Sequence, residues 1–176
     1  DYLVSSLSLD ILAELMDPQL PKPIYNAIKS IRYRDIILVT FFLNKKNINK
    51  NGSMYFPSSN FHFTRIYEAK NRSQKMSPEN QTSLSVEIPT YHSSNLWDSP
   101  TDKIKEIITN ELLGLDFFDS KEIIDIEVKK INKAYPILDT NYKSKISLIQ
   151  DYFSKFRNLT INGRNGKFQY THIHDH

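Results

Sequence analysis

The sequence predicts an α+β fold, a mainly antiparallel sheet with flanking helices, in one domain spanning residues 1–176. Three observations lead to that expectation. Short segments alternate apolar and polar residues, as in Thr82 to Ile88, where Leu84, Val86 and Ile88 interleave with Ser83, Ser85 and Glu87. Helical periodicity falls between groups of strands rather than after each one, unlike regular βαβ winding. There is no Gly-x-Gly-x-x-Gly stretch, so the chain carries no dinucleotide-binding fingerprint of its own.

Asp1 to Ser6 opens as a short strand, and Ser8 is placed to cap a helix running to about Met16, with Ile11, Leu12 and Leu15 on one face. Pro18, Pro21 and Pro23 interrupt the chain before a second helix from about Ile24 to Ile31. Arg34 to Leu43 holds the longest apolar run and reads as a buried strand. That run is far short of the roughly 20 residues a membrane-spanning helix needs. The polar segment Asn44 to Gly52, ending in Asn-Gly, is expected to be a hairpin loop with solvated lysines. Further strands are expected around Met54 to Phe56 and Phe63 to Glu68.

Ser99-Pro100-Thr101-Asp102 has the order of a helix start: a capping hydroxyl, proline at the first helical position and a carboxylate in the first turn. Ile104, Ile107, Ile108 and Leu112 then share a face, and Gly114 closes the helix. Ile124, Ile126 and Val128 mark another alternating strand. Ile146, Ile149, Phe153 and Phe156 recur at helical spacing and read as core, and Leu159 to Asn162 is a short strand leading into a glycine-rich turn.

Composition narrows the function. A net charge of +3 comes from 23 basic and 20 acidic residues interspersed along the chain, which is no nucleic-acid footprint. The absence of cysteine excludes disulfides and thiolate chemistry and agrees with a reducing, cytoplasmic setting. The first residue is not methionine, and the chain opens on a strand. Together with the end at His176, this leads us to expect a piece of a longer polypeptide.

Three groups of residues carry chemistry. In Gly163-Arg164-Asn165-Gly166-Lys167-Phe168-Gln169-Tyr170, glycines allow close backbone approach and Arg164 offers a planar donor fork, an arrangement suited to an anion or to an ordinary turn. In Phe63 to Glu68, strand alternation puts Phe63, Arg65 and Tyr67 on one face, either as a stacking and anion-binding surface or as a cross-strand ion pair with aromatic neighbours. Tyr135, before Pro136, places a phenol at a turn. His172, His174 and His176 alternate as metal ligands would, but they lie at the chain end without a supporting shell, and no metal is expected. His62 and His92 are isolated.

Taken in order, Asp1 to Ser6, Ile31-Arg32-Tyr33-Arg34, Phe63 to Lys70, Thr82 to Pro89, Ala134-Tyr135-Pro136 and Gly163 to Tyr170 resemble the C-terminal half of FAD-dependent enzymes of the amine oxidase and protoporphyrinogen oxidase superfamily. The UDP-galactopyranose mutase-like branch is the one they most resemble. The resemblance implies a substrate domain plus a strand returning to an FAD-binding domain made by another part of the chain. It implies that Arg164 and Tyr170 hold a nucleotide-sugar diphosphate, that Arg65 and Tyr135 line the same cleft, and that Gly163, Gly166, His172 and Ile173 fall where such enzymes meet FAD. The family carries an asparagine or aspartate and a second acidic residue just after the tyrosine. This sequence has His172 and His174 there, with Asp175 one position later. FAD is expected in the intact parent and not in the isolated fragment, and self-association through exposed apolar surface is a further expectation. An oxidase acting on an amine or a polycyclic substrate, and a non-catalytic binding module, are the alternative readings.

Overall fold

The structure is a computed structural model that describes residues 1–172 and His174. The chain folds into two compact units, one made of residues 1–34 and 133–176, the other of residues 35–132.

The second unit is built on a five-stranded sheet in the order β3-β4-β5-β2-β6. Its strands are β2 (Tyr33–Leu43), β3 (Ser53–Tyr55), β4 (Arg65–Glu68), β5 (Thr82–Thr90) and β6 (Ile123–Pro136), of which residues 33–34 and 133–136 belong to the first unit. The β2–β5, β3–β4 and β4–β5 pairings are antiparallel. β5 keeps the expected alternation along its whole length, with Leu84, Val86 and Ile88 buried. Opposite them, Ile37, Val39 and Phe41 of β2 are also buried, while Thr40 and Ser85 meet hydroxyl to hydroxyl at 3.2 Å on the other face. Two helices, α3 (Asn95–Asp98) and α4 (Thr101–Leu113), follow β5. Ile104, Ile108 and Leu112 of α4 pack against the apolar side of the sheet with Trp97 and Phe118.

Three expectations are corrected here. The 44–52 segment is no hairpin, because β2 and β3 are separated in the sheet by β4 and β5. The loop is instead drawn inward by the buried Glu68, which accepts from the backbone of Ile48 (3.0 Å) and Asn49 and from Thr82 Oγ1 (2.8 Å). Nor is Lys45 merely solvated, since it donates to the Phe117 carbonyl and pairs with Glu122 at 3.3 Å. Phe63 does not share a strand face with Arg65. It precedes β4 and is fully buried against Phe56 and Phe61, because three aromatic rings gain more by mutual packing than a strand extension would give. At α4, Pro100 occupies the cap position, and the Ser99 hydroxyl donates back to the Asn95 carbonyl of α3 instead of capping.

Lys70 is buried to 1% exposure, beside the equally buried Glu68. Its ammonium donates to the carbonyls of Pro78 (2.7 Å), Glu79 (2.6 Å) and Gln81 (2.7 Å). Three backbone acceptors compensate the desolvated charge and fix the 77–81 loop that leads into β5.

The first unit contains β1 (Leu3–Ser5), α1 (Leu9–Glu14), α2 (Lys22–Ser30), α5 (Tyr142–Phe153), β7 (Leu159–Ile161) and α6 (Gly163–Lys167). β1 and β7 form a parallel pair, Leu3 opposite Leu159 and Ser5 opposite Ile161. Leu9 and Leu12 of α1, Ile24 and Ile28 of α2, Ile146, Ile149 and Phe153 of α5, and Phe168 make its core. Ser8 stands at the cap of α1 as expected, but its side chain makes no capping hydrogen bond. No helix of the described residues is long and apolar enough to cross a membrane.

Replacing Lys70 with methionine is expected to lower unfolding free energy by about 1–3 kcal/mol, because three backbone carbonyls lose the buried donor they share. Urea denaturation of the variant checks this, and an unchanged midpoint would contradict it.

Candidate functional site

The segment after β7 is not an open turn. Gly163, at a φ of 75°, swings the chain out of the strand, and residues 163–167 then close a single helical turn, α6. A β-carbon on Gly166 would lie 2.9 Å from Ile161 Cγ2 and 3.4 Å from the Leu7 carbonyl, so its missing side chain lets α6 settle onto the β1–β7 pair. Phe168 then takes a left-handed conformation, at a φ of 53°, that L-residues with large side chains rarely adopt. Burial of its ring, edge-on to Tyr33 at 5.2 Å, holds it there. The reversal lets Gln169 N–H bond back to the Arg164 carbonyl and returns residues 170 and 171 alongside α6.

Three of the residues singled out in the sequence meet at this point. The Arg164 guanidinium lies over the Tyr135 ring, 5.0 Å from its centroid, and Tyr170 stacks on the same tyrosine at 5.7 Å with 17° between planes. One Arg164 N–H donates to the Thr171 carbonyl at 3.1 Å, orienting the fork. Tyr135 comes from the last turn-ward residues of β6, ahead of the buried Pro136, while Arg164 and Tyr170 come from either side of Phe168. A guanidinium has more N–H donors than the Thr171 carbonyl takes up, and those that remain can receive phosphate or carboxylate oxygens.

The supports of this cluster were not singled out by sequence reasoning. Tyr33 donates its hydroxyl to the Asn165 carbonyl (3.2 Å) and accepts from Leu9 N–H, and burial pushes its phenol well above the ordinary range. Asn165 donates to the Lys133 carbonyl at 2.8 Å, fixing α6 to the end of β6. Lys133 also pairs with Asp10 of α1. Burial disfavours the Asp10 carboxylate, but the hydrogen bond and charge of Lys133 outweigh it and hold the group below its ordinary pKa of 3.8. The hints in the sequence were the Ile31-Arg32-Tyr33-Arg34 segment and an asparagine inside the glycine segment.

At the carboxyl ends of the two parallel strands, Ser5 Oγ, Asn162 Oδ1 and Asn165 Oδ1 are buried and have no hydrogen-bond partner among the described residues. A groove of about 510 Å³ opens beside Tyr170, between α5 and residues 168–171, with Tyr142, Lys143, Ile146 and Gln150 on its walls. His172 and His174 stack ring on ring at 5.4 Å. Ile173, Asp175 and His176 lie outside the described residues.

Arg65 belongs to the other unit. It stands directly opposite Glu87 of β5 and makes a two-point ion pair with it, Nε to Oε2 at 2.9 Å and Nη2 to Oε1. That is the cross-strand reading of this segment. His62 donates to Glu111 through both its backbone and its ring, and His92 packs on Trp97 at 4.9 Å.

Neither a protein-family model nor a curated protein matches the sequence. The fold, in contrast, matches solved structures. A reduced UDP-galactopyranose mutase superposes with a TM-score of 0.79 at 18% identity, over 97% of this chain and 37% of that one. A protein from Exiguobacterium sp. 255-15 described as a protoporphyrinogen oxidase gives 0.69 at 11% identity, over 94% and 36%. A putrescine oxidase redesigned in its cofactor binding gives 0.69 at 10%, over 96% and 39%. The chain therefore has a fold present in all three of these solved structures, and it spans a little over a third of their length.

Two outcomes test this description of the site. Gly166→Ala is expected to cost about 1–3 kcal/mol by pushing α6 off β7. Gly114→Ala, where the added carbon would sit 3.4 Å from the Glu111 carbonyl and φ is −66°, is expected to stay within about 0.5 kcal/mol of wild type. Thermal denaturation of both variants makes the comparison.

The Asp10–Lys133 pair predicts acid sensitivity. With the native carboxyl titrating below 3.8, the unfolded chain takes up the proton first as pH falls. The stabilisation is thus complete above the ordinary value and disappears as pH drops through the native one. Lys133→Met is expected to remove about 0.5–1 kcal/mol at pH 7 and to flatten the loss between pH 5 and pH 3, measured by denaturant midpoints across that range.

Proposed function

We propose that this chain is the substrate-binding portion of an FAD-dependent enzyme acting on a nucleotide-sugar such as UDP-galactose. The observation that carries the reading is the Arg164 guanidinium over the Tyr135 ring, with Tyr170 stacked on the same tyrosine. A pyrophosphate is a double anion, and an oriented arginine fork with a neighbouring phenol gives it charge-assisted hydrogen bonds. The likeness in fold to UDP-galactopyranose mutase supports the same assignment. Arg65 is proposed as a further substrate contact on the family resemblance alone, its guanidinium held in orientation by Glu87.

FAD would be held mainly by a dinucleotide-binding domain contributed by the rest of the parent polypeptide. From this chain, the partnerless oxygens of Ser5, Asn162 and Asn165 suit the hydrogen-bonding edge of such a cofactor, at the carboxyl ends of parallel strands where cofactors characteristically bind. Gly163, Gly166, His172 and Ile173 remain proposed cofactor neighbours. Reduced flavin supplies the nucleophile in mutase chemistry, so the protein's contribution is to bind and orient the sugar nucleotide. Cytoplasmic location is part of the same proposal.

The likeness to putrescine oxidase and to the Exiguobacterium protein favours, as a second reading, an oxidase that passes hydride from an amine or polycyclic substrate to FAD. Calorimetric titration of the full-length protein, flavin reduced, with UDP and UDP-galactose separates the two. Nucleotide-sugar binding is expected to weaken at least 30-fold in Arg164→Ala, about 2 kcal/mol for a charge-assisted contact, and several-fold in Tyr170→Phe. No affinity of the wild-type protein for uridine diphosphate would remove the nucleotide-sugar reading and leave the oxidase.

A further inference from the structure

β6 is the terminal strand of the five-stranded sheet, paired on one side to β2, and at fourteen residues it is the longest strand of the described chain. Its 124–132 stretch is largely exposed. Exposed edges of this length invite pairing with another strand, and proteins commonly block them with lysine or proline. This edge has no proline before Pro136, and its charges are of both signs.

The faces of the strand are settled by its contacts. Ile126 and Val128 pack against the sheet core, and Lys130 reaches the carbonyls of Trp97 and Ser99 on the same side. Glu127 and Lys129 therefore face the other way, with side chains 59% and 74% exposed, and their contact within the strand is a loose 3.9 Å. Ile131, on that face, is 38% exposed.

We propose that β6 pairs edge to edge with β6 of a second copy of this chain, antiparallel about a two-fold axis at Val128. Centred there, Glu127 of each copy lies opposite Lys129 of the other, giving two cross-strand ion pairs on one face. Moving the centre to Glu127 sets one Glu127 against the other, even though Asp125 then meets Lys129, and moving it to Lys129 sets two ammonium groups together. A centre between residues places core-facing side chains opposite solvent-facing ones, which the pleat forbids. The Val128 register alone makes two ion pairs with no like charges opposed, whereas each register beside it brings one like-charged pair together. A merely protective edge needs only repulsion. This proposal rests on the sheet alone and is independent of the activity proposed above.

Sedimentation equilibrium of wild type, Glu127→Lys, Lys129→Glu and the double exchange tests it. Wild type is expected to form a concentration-dependent dimer, each single variant to weaken it at least tenfold, and the double exchange to restore it, because the pairs are re-formed with signs reversed. Amide exchange of residues 125–131 is expected to slow as concentration rises. A wild-type chain that stays monomeric at the highest concentrations, a dimer indifferent to both single exchanges, or a double variant no better than the singles would overturn the proposal.

Discussion

The approach of one short helix to one pair of parallel strands governs the geometry of the candidate site. α6 can rest on β1 and β7 only because residue 166 has no side chain to collide with Ile161 and the Leu7 carbonyl. Once seated, its position fixes the direction of Arg164, and the left-handed turn at Phe168 returns Tyr170 to the same place. The conformational cost of that turn, about 1 kcal/mol or more for a bulky residue, is offset by burying the phenyl ring beside Tyr33. Packing and site geometry are therefore a single arrangement in this unit, and the same aromatic contacts serve both.

In the sheet unit the corresponding constraint is polar. Glu68 and Lys70, two residues apart, are both buried; backbone carbonyls compensate Lys70, and backbone N–H groups together with Asn71 and Thr82 compensate Glu68. Glu68 gathers the loop before β3 and Lys70 the loop before β5. Apolar packing alone would leave these loops with little to define them. A buried charge with several fixed partners tolerates few alternatives, so these two side chains specify connections that hydrophobic contact does not. The Arg65–Glu87 pair does the same on the open side of the sheet, locking the β4–β5 register.

Much of the architecture was legible in the residue pattern. The alternation of Leu84, Val86 and Ile88 and the helical spacing of Ile104, Ile108 and Leu112 gave their elements directly, since both periods report which side of a regular backbone is buried. The candidate site was legible as residue types, arginine and tyrosines between glycines, but not as an arrangement. Stacking of Tyr135, Arg164 and Tyr170 joins positions about thirty residues apart in the chain, and nothing local to any of them encodes it. The expected hairpin at Asn44 to Gly52 failed for a related reason: an Asn-Gly pair favours a tight turn, but which strand lies beside β2 is decided by strand order.

By itself the sequence determined the fold class, the position of most strands and helices, the lack of thiol chemistry and the presence of an arginine in a glycine-flanked segment. These follow from local properties: side-chain periodicity, backbone freedom and residue chemistry. Only the tertiary structure decided that Phe63 is core, that Lys70 is buried, that Gly163 to Lys167 is a helical turn, and that Arg164 lies on Tyr135. Those outcomes depend on which distant segments become neighbours, where burial, a missing β-carbon or a shared hydrogen bond outweighs local preference.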